Sequence, residues 1–398
     1  RLALMVLATV LFLMIVGMNF GAVFAVVGLL MSVIAAKDFL SRGQEATRSI
    51  ILPVVVLVIC LFFVLGNFFP VLRFTFIPSF KLPAEVMPSL SASWDIVKQT
   101  TGEGWKNFVF GSGPGTFPYQ YGLYRSSDLN NTDFWGVRFA HGLNSIIDNL
   151  IDWGVAGTLL WLAFLCLVVL KALKAIHRQP VLSFGILYLI VSLLLYPQNL
   201  VIYFLIFILA GILIHPKVTE KDSYQRIVLA STPIKTFSLS LLLMFLIMLA
   251  VSVIYVEGQR YIGSLYFDSA LKIYNDTGDA EKILPKLLTG LDLDPHNDLY
   301  LQNLSQAYLL RLNNLISNSQ LPLGELQAQF SSNLETAIQS AKRATEINPR
   351  DSQNWLSLGR VYENVILLVP GAANLAIESY THAQQLEPNN PVIATSLG

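Results

Sequence analysis

The residues that could do chemistry lie in one stretch of the sequence, between positions 111 and 157. Guanidinium groups bind phosphate oxygens bidentately, and histidine is the side chain best suited to proton transfer near neutral pH. The stretch contains both types, together with glycines, an asparagine and two carboxylates: Gly111, Gly113, Gly115, Arg125, Arg138, His141, Asn144, Asp148, Asp152, Gly154 and Gly157. These residue types are able to bind anionic groups and to transfer protons.

The glycine run, Gly111-Ser112-Gly113-Pro114-Gly115-Thr116-Phe117, allows two interpretations. It is not a P-loop because no Gly-Lys-Ser/Thr follows, and no strand-to-helix context indicates a dinucleotide fingerprint. The run is typical of a tight turn. The alternative is that the backbone at Gly113 and Gly115 presents N–H groups to a phosphate of the substrate.

Asp148 and Asp152 follow Asn144 at intervals of four residues, which places all three on one helix face. The two carboxylates could order an acceptor or pair with Arg138. The interpretation favoured by the sequence is an interfacial acidic pair that is only solvated.

Neither a metal nor a cofactor is predicted. The four other histidines share no metal-ligand spacing with another His or Cys: His177, His215, His296 and His382. Cys60 and Cys166 both lie in apolar runs, so they supply neither a disulfide framework nor a cysteine-based metal site.

The composition indicates that these residues are positioned by membrane helices. Of 398 residues, 54 % are apolar and 13 % are charged, whereas soluble domains average about 25 % charged. A disordered chain is excluded, a wholly soluble enzyme is disfavoured, and zero net charge argues against a nucleic-acid partner. Seven segments approach the roughly 20 apolar residues that a span requires: 2–18, 20–36, 50–68, 154–172, 181–196, 199–214 and 237–256. For the shorter runs, helices of a soluble core are the alternative.

Basic residues mark alternate connections between these spans. They lie between spans two and three (Lys37, Arg42, Arg48), four and five (Lys171, Lys174, His177, Arg178), and six and seven (Lys217, Lys221, Arg226, Lys235). The positive-inside rule makes these connections cytoplasmic. A loop over about 69–150, the turn at 197–199 and everything after Tyr255 are then expected outside.

The charge distribution and a repeat divide the chain into a transmembrane domain, 1–256, and a polar domain, 257–398. The first carries 17 basic and 11 acidic residues and the second carries 9 and 15. Residues 337–349 match residues 376–388, and 283–295 are a weaker third copy. With Trp355-x-x-Leu358-Gly359-x-x-Tyr362, these copies resemble the tetratricopeptide repeat, an α-solenoid that usually binds proteins or peptides in a concave groove. A possible protein partner is therefore expected at the repeats, and a simple spacer is the alternative.

The spacing of the repeats and the ends of the chain predict two further features. The prolines that end the copies are 54 and 39 residues apart, so helix-connecting insertions are expected near 312–332 and 364–371. The chain begins with Arg1 and ends after Leu397-Gly398, in what looks like the start of another repeat. The chain is therefore expected to be a fragment truncated at both ends.

The succession Gly-x-Gly-Pro-Gly-Thr-Phe, then Arg138-Phe139, His141 and Asn144, then Gly154-x-x-Gly157 opening a span resembles the O-antigen ligase and polymerase superfamily of bacterial membrane glycosyltransferases. The resemblance covers roughly residues 50–215. It implies a multi-pass inner-membrane protein with many transmembrane helices and an outer loop that closes over the site. It also implies a polyprenyl-diphosphate-linked glycan as donor, with no nucleotide sugar and no catalytic metal.

The resemblance also implies roles for particular residues. Arginines of the outer loops hold the diphosphate, which makes Arg138 and Arg125 candidates and Arg73 a weaker one. His141, with Arg138 and Asn144, becomes the catalytic candidate. The family commonly carries histidine immediately before the asparagine, where this chain has Leu143. Either His141 takes that role from one turn away, or the usual chemistry is lost.

The leading expectation is therefore an outer-face glycosyltransferase that is embedded in the lipid bilayer and acts on this donor and on an unknown acceptor. The alternative is a catalytically inert, membrane-anchored scaffold whose repeats bind envelope proteins. A transporter is disfavoured because the spans are nearly free of ionisable groups.

Overall fold

The computed structural model describes residues 28, 54–55, 57–61, 86–176, 178–214, 233–318 and 322–398. Every regular element in these ranges is helical and no strand occurs in them, which confirms the all-α prediction. The α-helices are α1 (Leu90–Gly102), α2 (Trp105–Phe110), α3 (Phe117–Tyr124), α4 (Ser145–Ala175), α5 (Pro180–Leu195), α6 (Leu200–Ile214), α7 (Pro233–Asp276), α8 (Ala280–Leu293), α9 (Asp298–Asn318), α10 (Leu323–Ile347), α11 (Ser352–Glu363), α12 (Ala372–Leu386) and α13 (Pro391–Leu397). A 3-10 helix covers Ser127–Asn131.

The described residues form two compact units. The first takes those within 1–118 and 139–219, and the second takes those within 119–138 and 220–398. Residues Tyr119–Arg138, which we call the loop segment, therefore belong to the unit that contains the predicted repeats. The predicted domain boundary after residue 256 lies inside α7, which runs as one helix through that position.

The first unit is built around α4. Helices α1 and α2 pack against it, and α5 and α6 pack against its later part. The core between α4, α5 and α6 is almost entirely aliphatic, with Leu165, Ile186, Leu193 and Ile206 among its buried residues. The three helices are also apolar on their exposed sides, for example at Leu160, Val181 and Phe204.

Among the residues that the structure describes, two helices are long and apolar enough to cross a membrane: α4 and the stretch 236–276 of α7. They contain the predicted spans 154–172 and 237–256. The predicted spans 181–196 and 199–214 correspond to α5 and α6, which are shorter, with 16 and 15 residues. Spans 2–18 and 20–36 and most of 50–68 lie outside the described residues, and so do Lys37, Arg42, Arg48, Lys217, Lys221 and Arg226. The number of crossings and their direction stay predictions.

The apolar part of α7 is not buried against the other described residues of its unit. Large apolar side chains are exposed on every side of the helix, for example Phe237, Leu243, Ile247 and Ile254. A helix that is apolar all round requires a nonpolar environment. This pattern supports a membrane location for α7.

The rest of the second unit is a succession of helices in which each one, from α7 to α13, packs against the next. The three sequence copies end α8, α10 and α12 with the same backbone geometry. Their C-cap residues have φ/ψ of −136°/79° at Asp294, −135°/80° at Asn348 and −136°/75° at Glu387. The next helices begin alike too, with caps at Asp351 (−84°/112°) and Asn390 (−84°/113°). The fold is thus repeat-like, and its membership of the tetratricopeptide class stays a prediction.

Small residues allow the repeat helices to approach closely. Ala337, Ala344, Ala376 and Ala383 are buried, as their spacing predicts. Gly359 of α11 lies against the ring of Tyr380 in α12, so that a side chain at position 359 would overlap it. The predicted insertion at 312–332 coincides with lengthening of α9 and α10, and 364–371 form an irregular turn that ends at Gly371, with φ of 84°.

Candidate functional site

Helix α4 begins where the candidate residues are concentrated. Asn144 is its N-cap, and the side-chain oxygen accepts a hydrogen bond from Ile147 N at 3.1 Å. Such a cap satisfies one of the N–H groups that the first turn leaves without a partner. Asn144 therefore has a structural use in addition to the catalytic role that the resemblance implies.

The glycine run is a tight turn whose N–H groups point at α4. Ser112 N donates to Ile151 O at 2.8 Å, and Gly113 N donates to Asp152 O at 3.1 Å. Gly115 N and Thr116 N donate to the two oxygens of the Asp152 carboxylate, at 3.1 and 3.3 Å. The N–H groups of the turn thus bind a side chain of the protein itself, the Asp152 carboxylate. These N–H groups are engaged, which favours the tight turn over phosphate binding by Gly113 and Gly115.

Two glycines fit the turn against α4. Gly154 has φ of 66° and ψ of −169°, which kinks the helix, and Gly111 has φ of 74°. A Cβ on Gly154 would lie 2.5 Å from Gly111 N, and a Cβ on Gly111 would lie 2.6 Å from Gly154 N. Both positions therefore require glycine for contact as well as for conformation.

The Asp148 carboxylate accepts hydrogen bonds from backbone N–H groups at two places. Gly142 N donates to Oδ1 at 2.7 Å, and Gln198 N, in the turn before α6, approaches Oδ2 at 3.4 Å. His141 completes the surroundings with its Nδ1 3.4 Å from Oδ2. The His141 side chain is 54 % exposed, so this pair joins a buried carboxylate to an accessible imidazole.

The expectation that the two aspartates are only solvated is wrong. Asp148 is 1 % exposed and Asp152 is 8 % exposed. A buried carboxylate is tolerated when polar partners replace its water, and here backbone N–H groups do so. The partner of Asp148 is His141, where the sequence had suggested Arg138.

Leu143 occupies the position at which the resemblance implies a histidine. Its N–H donates to Ser93 Oγ of α1 at 3.2 Å. This hydrogen bond ties the backbone between His141 and the α4 cap, Asn144, to α1. The protein therefore presents one imidazole in this turn, that of His141.

In the second unit, Arg125 is buried in the loop segment with neutral partners. Its Nη2 donates to Asn130 Oδ1 at 2.6 Å and to Trp135 O at 2.8 Å, and only 5 % of the residue is exposed. Its Nε has no hydrogen-bond partner. Among the residues that the structure describes, no carboxylate lies within 4 Å of its guanidinium.

Arg138 is held by two carboxylates from the turns between repeats. Its Nη1 donates to Asp351 Oδ1 at 2.7 Å, and its Nε lies 3.3 Å from Glu387 Oε1. Burial by itself would lower the pKa of Arg138, but these two carboxylates outweigh it and the pKa is raised. The guanidinium is therefore charged at every accessible pH.

A pocket of about 160 Å³ lies between part of the loop segment, α11 and the turn before α13. Its lining includes three guanidinium groups, a carboxylate and two aromatic rings: Arg125, Arg138, Arg360, Glu387, Tyr121 and Trp135. Burial raises the pKa of the Tyr121 phenol, which therefore stays neutral. The pocket can thus take a small anionic or hydroxylated group.

The structure does not bring every candidate into one compact unit. His141, Asn144, Asp148, Asp152, Gly113 and Gly115 belong to the first unit, Arg125 and Arg138 belong to the second, and Arg73 lies outside the described residues. The sequence did not indicate Gln198, Arg360, Asp351 or Glu387. The last two occupy turn positions next to the prolines that end the copies, which is the only sequence signal they carry.

Within the described ranges, no group of three or more His, Cys, Asp or Glu side chains could hold a metal ion. No family model matches the chain, and no curated protein matches it in sequence.

Proposed function

We propose that the protein is a membrane glycosyltransferase that transfers or polymerises a polyprenyl-diphosphate-linked glycan at the outer face of the inner membrane. The observation that carries the proposal is the His141–Asp148 pair. A buried carboxylate held by Gly142 N orients an exposed imidazole through its Nδ1. Such a pair is the arrangement of a general base, because the carboxylate stabilises the imidazolium that proton transfer creates.

In this proposal, His141 accepts the proton of an acceptor hydroxyl at Nε2. The acceptor oxygen attacks the anomeric carbon of the donor sugar, and the bond from that carbon to the diphosphate oxygen breaks. The electron pair of that bond leaves with the polyprenyl diphosphate. The products are a new glycosidic bond, protonated His141 and the free lipid diphosphate, so atoms and charges balance.

The arginine-lined pocket supports the same reaction class. A leaving diphosphate carries negative charge that guanidinium groups stabilise, and Arg125 has no carboxylate partner in the described part of the chain. Arg138 is paired, but a guanidinium has five N–H donors and two carboxylates do not exhaust them. We therefore assign diphosphate binding first to Arg125 and then to Arg138.

The experiment is analysis of surface glycan in a deletion strain that carries variants of the full chain. We expect His141→Ala to lower glycan transfer about 100- to 10 000-fold, which is the usual contribution of a general base. Asp148→Asn should lower it less, because the imidazole remains. His296→Ala is the matched control, since His296 is exposed in a turn between repeats and should leave transfer unchanged. Unchanged glycan in His141→Ala, at equal protein level, would contradict the proposal.

The same strain separates the two branches of the proposal. Loss of polymerase activity leaves short, uncapped chains, whereas loss of ligase activity leaves full-length chains on the lipid carrier. The mass of the glycan on the lipid carrier and on the acceptor therefore differs between the two cases. Extracting the carrier-linked and the acceptor-linked glycans and comparing their masses identifies the branch.

A second candidate is an inert membrane-anchored scaffold. It is favoured by Leu143 at the family's histidine position and by the two carboxylates that already hold Arg138. If the protein is a scaffold, the His141→Ala and Arg125→Gln variants should both complement the deletion and return the strain to the wild-type phenotype. If it is the transferase, neither should restore it.

A further inference from the structure

The turns between repeats hold the loop segment through asparagine side chains. Asn348 Nδ2 donates to Tyr119 Oη at 2.9 Å, and Asn389 Nδ2 donates to Arg125 O at 2.8 Å. In the reverse direction, Asn130 Nδ2 donates to Asn389 O at 3.0 Å. Asn348 and Asn389 flank Pro349 and Pro388, which end two of the sequence copies, so two successive turns contact one peptide.

Charge complements these hydrogen bonds at the end of the loop segment. Asp351 and Glu387 come from the same two turns, and both lie within 3.3 Å of the Arg138 guanidinium. Asp351 is also the cap of α11, where it accepts a hydrogen bond from Gln353 N at 2.9 Å, so its position is fixed by the repeat itself. The loop segment has no net charge, with Arg125 and Arg138 against Asp128 and Asp133, so the complementarity is local to Arg138.

The contact also has a steric component. Gly122 of α3 lies so close to Glu387 that a Cβ at position 122 would be 2.7 Å from Glu387 Cγ. Glu387 is itself held by Asn390, whose Nδ2 donates to Oε2 at 2.7 Å. The fit between the loop segment and the turns therefore includes shape as well as charge.

We propose that the repeat array binds the loop segment of its own chain as its peptide ligand, with Asn348, Asp351, Glu387 and Asn389 as the recognising residues. The role of the repeats is then to position Arg125 and Arg138. A tethered ligand competes with free peptides at a high effective concentration, so these turns do not serve as a docking site for another protein. This inference does not depend on glycosyl transfer, because its contacts are within the second unit alone.

The test is hydrogen exchange and limited trypsin cleavage on the full chain in detergent. Amides of the loop segment are hydrogen-bonded within it, such as Arg125 N to Tyr121 O at 2.8 Å and Val137 N to Phe134 O at 3.0 Å. The double variant Asp351→Asn/Glu387→Gln should speed their exchange, and tryptic cleavage after Arg125 and Arg138, at least tenfold. Glu378→Gln, an exposed acid on α12, is the matched control and should change neither.

A charge exchange makes the test specific. In a Glu387→Gln background, Arg138→Asp should release the loop segment, and adding Asp351→Arg should restore its protection. Unchanged protection of the loop segment in the Asp351→Asn/Glu387→Gln variant would overturn the proposal. Equal acceleration in α11 and α12 would overturn it too, because the carboxylates would then stabilise the repeats and not the docked peptide.

Discussion

Replacing Gly154 by alanine tests how the kink of α4 holds the glycine turn. With φ of 66° and ψ of −169°, the backbone is in a region that side-chain-bearing residues rarely adopt. The new Cβ would lie 2.5 Å from Gly111 N and 2.6 Å from the carbonyl carbon and oxygen of Val109. These are backbone atoms, so no side-chain rotation relieves the overlap and the turn must move away.

The cost follows from the strain and from the hydrogen bonds that the movement breaks. Backbone strain at such a position costs about 1–3 kcal/mol. The two bonds from the turn to α4, Ser112 N to Ile151 O and Gly113 N to Asp152 O, contribute about 1 kcal/mol each. The free energy of unfolding should fall by roughly 3–5 kcal/mol, which lowers the Tm by about 10 °C for a domain of this size.

The assay is thermal unfolding of the purified full chain in detergent, with two control variants. Gly115→Ala tests backbone strain alone, because φ is 69° and nothing lies within 4 Å of the added Cβ; about 1–2 kcal/mol is expected. Gly185→Ala, inside α5 with open space around it, should be neutral or slightly stabilising. If Gly154→Ala lowers the Tm no more than Gly115→Ala does, the close contact with Gly111 adds nothing to the backbone strain, and the reasoning is refuted.

Three further predictions concern buried groups in both units. Asp152→Asn should cost about 1–3 kcal/mol and speed exchange of either the Gly115 or the Thr116 amide, because asparagine offers one oxygen in place of the two that these N–H groups contact; unchanged exchange at both positions would contradict this. Burial and the hydrogen bond to Glu363 raise the pKa of Tyr380. The pKa of Tyr380 is higher in the folded than in the unfolded protein. The contribution of Tyr380 to the free energy of unfolding is therefore complete below about pH 10 and is lost as the pH rises further. Urea unfolding of Tyr380→Phe should therefore show a weaker loss of stability above pH 10 than the wild type, and parallel curves would refute it. Gly359→Ala should destabilise the repeats by about 1–3 kcal/mol, since its Cβ would overlap the Tyr380 ring; urea unfolding of that variant beside Gly324→Ala, which has open space, checks the sign.

The helices were largely predictable because helical signals are local. Apolar runs at 154–172 and 237–256 indicated the two longest apolar helices of the described part of the chain, and the repeated alanines indicated which helix faces are buried. The copies ending at Pro295, Pro349 and Pro388 indicated three equivalent helix ends, which the shared C-cap dihedrals display. These features depend on periods of a few residues, and the sequence states such periods directly.

The partners of the charged residues were not predictable. The sequence suggested that Asp148 and Asp152 are solvated, yet each is buried against backbone N–H groups that have no side-chain signature. Arg138 pairs with Asp351 at a separation of 213 residues. Nothing in the local pattern around either residue identifies the other.

The sequence by itself determined the residue types near α4, the all-helical architecture and the positions of the repeated turns. Only the tertiary structure decided that Asp148 lies beside His141, that Asp152 accepts the N–H groups of the glycine turn, and that the repeat turns contact the loop segment. The physical reason is that periodicity records which faces are buried. Ion pairs and hydrogen bonds between distant segments depend on which faces meet, and packing alone decides that.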